Sequence, residues 1–199
     1  MLVAIQSRRV GAAMPVVRDL AIAVLFLWTF IDGIVVFRHK TAQAENRDRS
    51  SLLLLMIAGP LAWVASIGLA FGTIGALHLA ALQVAGLALM GVGIAVRSTA
   101  IAQLGRLHTP NVAVRVDHRL KATGLYRHVR HPSYLGALVA FVGFGLALGN
   151  WLSLMVILIV TPAIYLHRIR EEEAALASAF GETYHEYCRH TKRLIPWLY

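Results

Sequence analysis

The chain has 199 residues, of which 58% are drawn from the set AVILMFWYC and only 15% are charged, with a formal net charge of +9. A water-soluble domain carries about a quarter charged residues, and a single domain of this size cannot hide so much apolar side chain from water. The lone Cys188 excludes a disulfide scaffold, and the apolar content excludes disorder. An integral membrane protein remains. Its positive charge then reads as topology and attraction to anionic lipid, and no nucleic-acid recognition motif accompanies it.

Five spans are expected in chain order, near 16–37, 52–71, 77–96, 133–148 and 151–167. The first has an apolar core from Leu20 to Ile31 and ends in Arg38-His39-Lys40, without the small-residue cleavage site of a signal peptide. The next two come from Ser50–Val96, 47 residues without Asp, Glu, Lys or Arg, broken at Gly72-Thr73-Ile74-Gly75. A membrane helix needs about 20 residues, so that stretch holds two. The last two are short and share His131–His167, 37 residues broken at Gly149-Asn150. Between the third and fourth spans, Val112–Val116 reads as a short extended piece. Beyond the fifth, Ile169, Leu176, Phe180, Tyr184 and Tyr187 recur at helical spacing, predicting a cytoplasmic amphipathic helix over 168–190. The fold class is all-α and the chain reads as one membrane domain, residues 1–199.

Orientation follows from the cations. Sixteen of the 19 Lys and Arg residues fall in the 1–2 connection, the 3–4 connection and the C-terminal tail. Only Arg8, Arg9 and Arg18 lie on the other side. The positive-inside rule therefore predicts an external N-terminus, with both long polar segments and the tail cytoplasmic.

Chemistry has to fit in residues 97–132, in residues 168–199 and in polar groups turned inward from the helices. Two constellations stand out. The first, Thr123-Gly124-Leu125-Tyr126-Arg127-His128-Val129-Arg130-His131-Pro132-Ser133-Tyr134, leads into the fourth span, where the opening amides of a helix favour an anion. The second is Arg168-Ile169-Arg170-Glu171-Glu172-Glu173. Arg168 and Glu172 are four apart and share a helix face. A guanidinium can grip a carboxylate with two hydrogen bonds while a carboxylate holds an ammonium, a pairing suited to a zwitterionic ligand.

Together with Phe180-Gly181-x-x-Tyr184-x-x-Tyr187 and Arg193-x-Ile195-Pro196, these elements resemble the isoprenylcysteine carboxyl methyltransferase family; phospholipid N-methyltransferases share parts of the pattern. The resemblance covers residues 105–197, whereas residues 1–96 match only as apolar spans. It implies an enzyme that uses S-adenosylmethionine without a Rossmann domain, and no G-x-G-x-x-G follows a strand here. It also implies a lipophilic acceptor, a prenylcysteine-like carboxylate before a phospholipid amine, with no obligate protein partner. The cofactor segment carried over is 105–134, with His118, Arg119, Leu120 and Lys121, then Tyr126, then His131, Pro132, Ser133 and Tyr134, and with Asn111 as an earlier contact. Glu172 takes the position of the cofactor-contacting glutamate and Arg168 that of the arginine facing the methyl acceptor.

Two rival chemistries fit less well. Histidine-rich di-iron oxygenases cluster their ligands, but these nine histidines are scattered and only His128 and His131 pair closely, so no metal is expected. NADPH-dependent sterol reductases share a His-Pro-x-Tyr-x-Gly element but follow the glycine with Glu, where this chain has Gly136-Ala137. Among the remaining polar residues, Asp32 reads as an acid within reach of headgroups, and His78 and Gln83 as partners of each other or of backbone groups between helices. Gly86, Met90 and Gly93, with Gly143, Gly145 and Gly149, read as close helix packing.

Overall fold

The computed structural model describes residues 2–38, 49–105 and 120–196, with side chains for 14–35, 53–105 and 120–196. Its helices are α1 (Leu2–Arg38), α2 (Arg49–Ala70), α3 (Ala80–Leu104), α4 (Pro132–Ala147), α5 (Trp151–Phe180) and α6 (Glu182–His190), with a 3-10 turn at Gly124–Arg127 before α4. Four of them, α1, α2, α3 and α5, are long and apolar enough to cross a membrane. The chain is an integral multi-pass membrane protein.

The fourth expected span departs from the other four. α4 has 16 residues, about 24 Å at 1.5 Å per residue, against a hydrocarbon core of about 30 Å. It is a core helix more than a lipid-facing one. Phe144, Ala137 and Ala140 are fully buried, and Phe141 lies 5.3 Å between ring centroids from both Trp28 of α1 and Trp63 of α2. α1, α3 and α5 all pack on α4, while α2 packs on α5.

Glycine makes the α3–α4 seam possible. Gly86 and Gly93 of α3 face Gly143 and Gly136 of α4, and a Cβ on any of the four would strike the opposite backbone. With no side chains between them the two helix backbones touch, the small-residue packing favoured where lipid supplies no hydrophobic drive between helices. Gly145 and Gly149 serve otherwise. Gly145 abuts Leu154 of α5, and Gly149 takes a left-handed φ of +66° in the turn between α4 and α5.

That turn is tied down by Asn150. Its Oδ1 accepts from the amides of Leu152 and Ser153 and so caps α5, while its Nδ2 donates to the carbonyls of Leu69 and Ile74. Gln83 donates to the Ala147 carbonyl at 3.3 Å, so of its two expected partners it takes a backbone group across the α3–α4 seam. Deeper in the bundle, Ser66 of α2 and Ser153 of α5 exchange hydroxyl-to-carbonyl bonds at 3.3 and 2.6 Å.

The polar C-terminal half also differs from the expected separate helix over 168–190. α5 runs unbroken from Trp151 to Phe180, and its 30 residues measure about 45 Å. It therefore outruns the membrane and carries the Arg168–Glu173 run on a rigid extension of its apolar part. The break falls at Gly181, whose left-handed φ of +52° ends α5 and starts α6. The chain then returns to the mouth of α4: Arg130 N and His131 N donate to the carbonyls of Lys192 and Arg193, and Lys192 N donates to that of His128.

Candidate active site

Pro132 occupies the first turn of α4, where its missing N–H costs nothing. Just before it stands His131, and the first turn that follows projects Tyr134. The two rings stack with centroids 5.6 Å apart. From α5, Arg168 and Glu172 approach one turn apart, as their spacing predicts. Arg168 Nε donates to the Tyr134 hydroxyl at 3.0 Å, and that hydroxyl donates to Glu172 Oε2 at 2.8 Å. His131 Nδ1 stands 3.8 Å from the same oxygen. Arg168 is buried, while the Glu172 side chain keeps 34% of its surface exposed. The product is a chain of donors and acceptors, Arg168 to Tyr134 to Glu172, with its anionic end accessible.

Glu173, the next residue, has a different task. Arg130 Nε reaches its Oε1 at 2.9 Å, His131 Nε2 approaches the same oxygen at 3.3 Å, and Arg193 holds its Oε2 at 2.6 Å. Glu173 lies on the extension of α5 past its apolar stretch. Burial raises its carboxyl, but the bonds from His131, Arg130 and Arg193 outweigh burial and hold it down at about 2. Arg130 also donates to the Thr191 carbonyl at 2.6 Å. Glu173 thus fastens the returning tail, the loop before α4 and α5 together, and leaves Glu172 as the accessible carboxylate.

Tyr126 supports the same corner. It is buried in the 3-10 turn, donates to the Ala100 carbonyl of α3 at 3.3 Å, and offers its own carbonyl to the Tyr187 hydroxyl at 2.6 Å. Burial pushes the Tyr126 phenol above its ordinary range and the Tyr187 phenol up to about 12, so both are neutral donors at physiological pH. The Ser133 side chain bonds Tyr126, and its carbonyl accepts from Arg97 at 3.4 Å.

Of the residues singled out from sequence, His131, Pro132, Ser133, Tyr134, Arg168 and Glu172 therefore meet at one corner, with Tyr126 beside them. Leu120 and Lys121 are half-buried, and among the described residues no hydrogen bond or ion pair joins them to the cluster. Asn111, His118 and Arg119 lie outside the described residues, as does Val112–Val116.

Comparison with known proteins bears on the same stretch. A family model described as the isoprenylcysteine carboxyl methyltransferase (ICMT) family matches residues 85–178. This is the family that the motifs at 105–197 resemble, and the matched segment holds α4, most of α5 and the whole Arg168–Tyr134–Glu172 chain. Protein-S-isoprenylcysteine O-methyltransferase of Schizosaccharomyces pombe is 35% identical over 116 residues, covering 57% of this chain and 49% of its own. The Arabidopsis thaliana protein-S-isoprenylcysteine O-methyltransferase B is 34% identical over 115 residues, covering 57% and 58%. The chain thus spans about half the length of these curated relatives. A solved structure of the eukaryotic intramembrane Ras methyltransferase ICMT superposes with a TM-score of 0.71 at 23% identity, over 94% of this chain and 68% of that one. The shared fold therefore extends to residues ahead of 85, which the family match does not cover.

The motifs contain several residues whose roles in the corner sequence reasoning missed. Arg130, Glu173 and Arg193 look like ordinary membrane-flanking charges until the tail folds back on them. By sequence Asp32 lies within reach of headgroups and Arg97 opens the polar segment 97–132. In the structure Arg97 is buried in α3 and grips Asp32 of α1 with two bonds, Nε to Oδ1 at 3.0 Å and a terminal nitrogen to Oδ2 at 2.7 Å. Nothing in the local sequence pairs residues 65 apart.

Proposed function

We propose that this chain transfers a methyl group from S-adenosylmethionine to the carboxylate of a lipophilic, prenylcysteine-like acceptor. The observation that carries the reading is the Arg168–Tyr134–Glu172 chain, which presents a buried guanidinium and an accessible carboxylate one helical turn apart. The names of the relatives, protein-S-isoprenylcysteine O-methyltransferases, support the acceptor class.

The donor set fits such a cofactor. A zwitterionic amino-acid end calls for an accessible carboxylate in a polar corner, and Glu172 supplies it beside His131, with Tyr134 and Tyr126 as the corner's hydrogen-bonded walls. Glu172 would hold the ammonium. When bound, the cofactor supplies a methyl already activated on sulfur, so the protein's task is alignment. Arg168 positions the acceptor carboxylate, and the bond from its Nε to Tyr134 fixes the plane of the guanidinium. A carboxylate acceptor is nucleophilic as it stands and needs no general base. Alignment alone can then supply effective molarities of roughly 10⁵–10⁸ M.

The corner faces the cytoplasm in this reading, because 16 of the 19 Lys and Arg residues fall on its side. Cysteine labelling from outside intact cells should modify a probe near Ala12 and spare one near Thr123; the reverse pattern overturns the orientation. The activity is tested by offering the purified protein radiolabelled S-adenosylmethionine with prenylcysteine analogues or with phosphatidylethanolamine. Methylation of the prenylcysteine carboxylate is expected. Transfer only to the amine, or no transfer with consumption of NADPH on a sterol, overturns the reading.

A further inference from the structure

Beside the candidate site lies an ion pair that the reaction, as described, does not use. Arg97 lies on α3, and its side chain is 10% exposed against 22% for Asp32 on α1. All three guanidinium nitrogens are engaged: Nε and one terminal nitrogen on the two oxygens of Asp32, the other terminal nitrogen on the Ser133 carbonyl at 3.4 Å. Ser133 is the residue immediately before Tyr134. Tyr165 of α5 sits in the field of Arg97, Asp32 and Arg168 alike, and its ring lies 5.3 Å from that of Tyr134. Hydrogen bonds therefore run from α1 through Arg97 to the Ser133 carbonyl, and the next residue along the backbone, Tyr134, bonds Arg168 and Glu172.

We propose that Asp32 and Arg97 are a positioning pair for methyl transfer: Asp32 holds the Arg97 fork against the Ser133 carbonyl and beside Tyr165, and this sets where Tyr134 meets Arg168 and Glu172. The inference rests on the proposed methyltransferase reading and extends the working parts of the site to α1, outside the family-matched segment 85–178. Packing alone does not demand the pair. The α3–α4 seam is already fixed by Gly86, Gly93, Gly136 and Gly143, and α1 is anchored on α4 through Trp28 and Phe141. A bidentate guanidinium clamp adds angular definition at one end of α4, where a small rotation of the first turn would swing the Tyr134 hydroxyl away from both partners.

A charge-neutral double variant separates positioning from stability. Asp32→Asn alone strands a buried guanidinium and Arg97→Gln alone strands a carboxylate, so each should lower the unfolding temperature in detergent. Asp32→Asn combined with Arg97→Gln removes both charges and should recover most of that loss. Turnover at saturating substrates should nonetheless stay at least tenfold below wild type in the double variant, with affinity for S-adenosylmethionine within about threefold. Arg97→Lys, which keeps the charge but cannot reach Asp32 and the Ser133 carbonyl together, should show the same selective loss in a folded protein. Wild-type turnover in the double variant or in Arg97→Lys overturns the inference while leaving the methyltransferase reading intact. A wild-type protein that transfers no methyl to any prenylcysteine analogue overturns that reading and this inference with it.

Discussion

Tyr134 donates its hydroxyl proton to Glu172 Oε2 across 2.8 Å, joining the first turn of α4 to the polar extension of α5. Because the same hydroxyl accepts from Arg168, its proton is directed at the carboxylate and its lone pair at the guanidinium. Glu172 keeps this bond and still meets solvent. Glu172→Gln preserves an oxygen for Tyr134 but removes the charge that would face an ammonium. Charge-assisted bonds contribute about 1.5–3 kcal/mol, so S-adenosylmethionine affinity should fall roughly ten- to a hundredfold by calorimetric titration. Superimposable titration curves for wild type and variant would remove Glu172 from the cofactor site.

The glycine seam predicts a contrast within a single helix. A Cβ on Gly93 would strike the Ala140 backbone nitrogen and approach the Gly136 carbonyl to 2.6 Å, with no flexible side chain to yield. Gly91, two residues earlier, has nothing within 4 Å. Gly93→Ala should therefore cost upwards of about 3 kcal/mol, the high end of overpacking, and depress the folded yield. Gly91→Ala should be neutral or stabilising by about 0.5–1 kcal/mol through helix propensity. Thermal unfolding of both variants in one detergent checks the pair, and equal effects would refute the seam.

How far such relations could be read from the sequence depended on their range. Charge-free length located the helices because each apolar stretch has to be long enough to cross, and Gly72–Gly75 and Gly149-Asn150 marked breaks through backbone freedom that is local. Arg168 and Glu172 were legible as a pair because four residues make one helical turn. The length of α5 was obscured by its charges: the end of its apolar stretch looked like the end of the helix, yet Arg168–Glu173 continue it and Gly181 ends it. Asp32–Arg97 and Glu173–Arg193 were illegible for a different reason. Each joins elements whose closeness is settled by tertiary packing, and a charge beside a span carries no mark of which distant charge will meet it.

Glu173 gives a prediction in pH. Its carboxyl is held at about 2, below the ordinary 4.5, so the folded state binds its proton more weakly than the unfolded chain does. The stabilisation is complete above the ordinary carboxylate range and is lost as pH falls from about 4.5 toward 2. Glu173→Gln, which removes the carboxylate charge facing Arg130 and Arg193, should cost on the order of 3 kcal/mol near neutrality. The gap between wild type and variant should hold constant above pH about 5 and close on acidification. A gap that widened as pH fell would show that the bonds from Arg130, His131 and Arg193 do not set the Glu173 charge.

Arg168 separates acceptor chemistry from cofactor binding. It sits one turn before Glu172, at the end of the apolar part of α5. Arg168→Lys retains the charge but loses the planar fork, and with it the bond from Nε that fixes the group against Tyr134. An arginine that merely reached for the interface would accept lysine with little effect. An arginine that aligns the acceptor would not, and transfer should fall by at least about tenfold while S-adenosylmethionine affinity changes by less than about threefold. Both quantities are to be measured on the same preparation. Unchanged turnover would reduce Arg168 to an interfacial cation, and a matched loss of turnover and affinity would move it into the cofactor site. Only a selective loss of turnover fits the acceptor-positioning role.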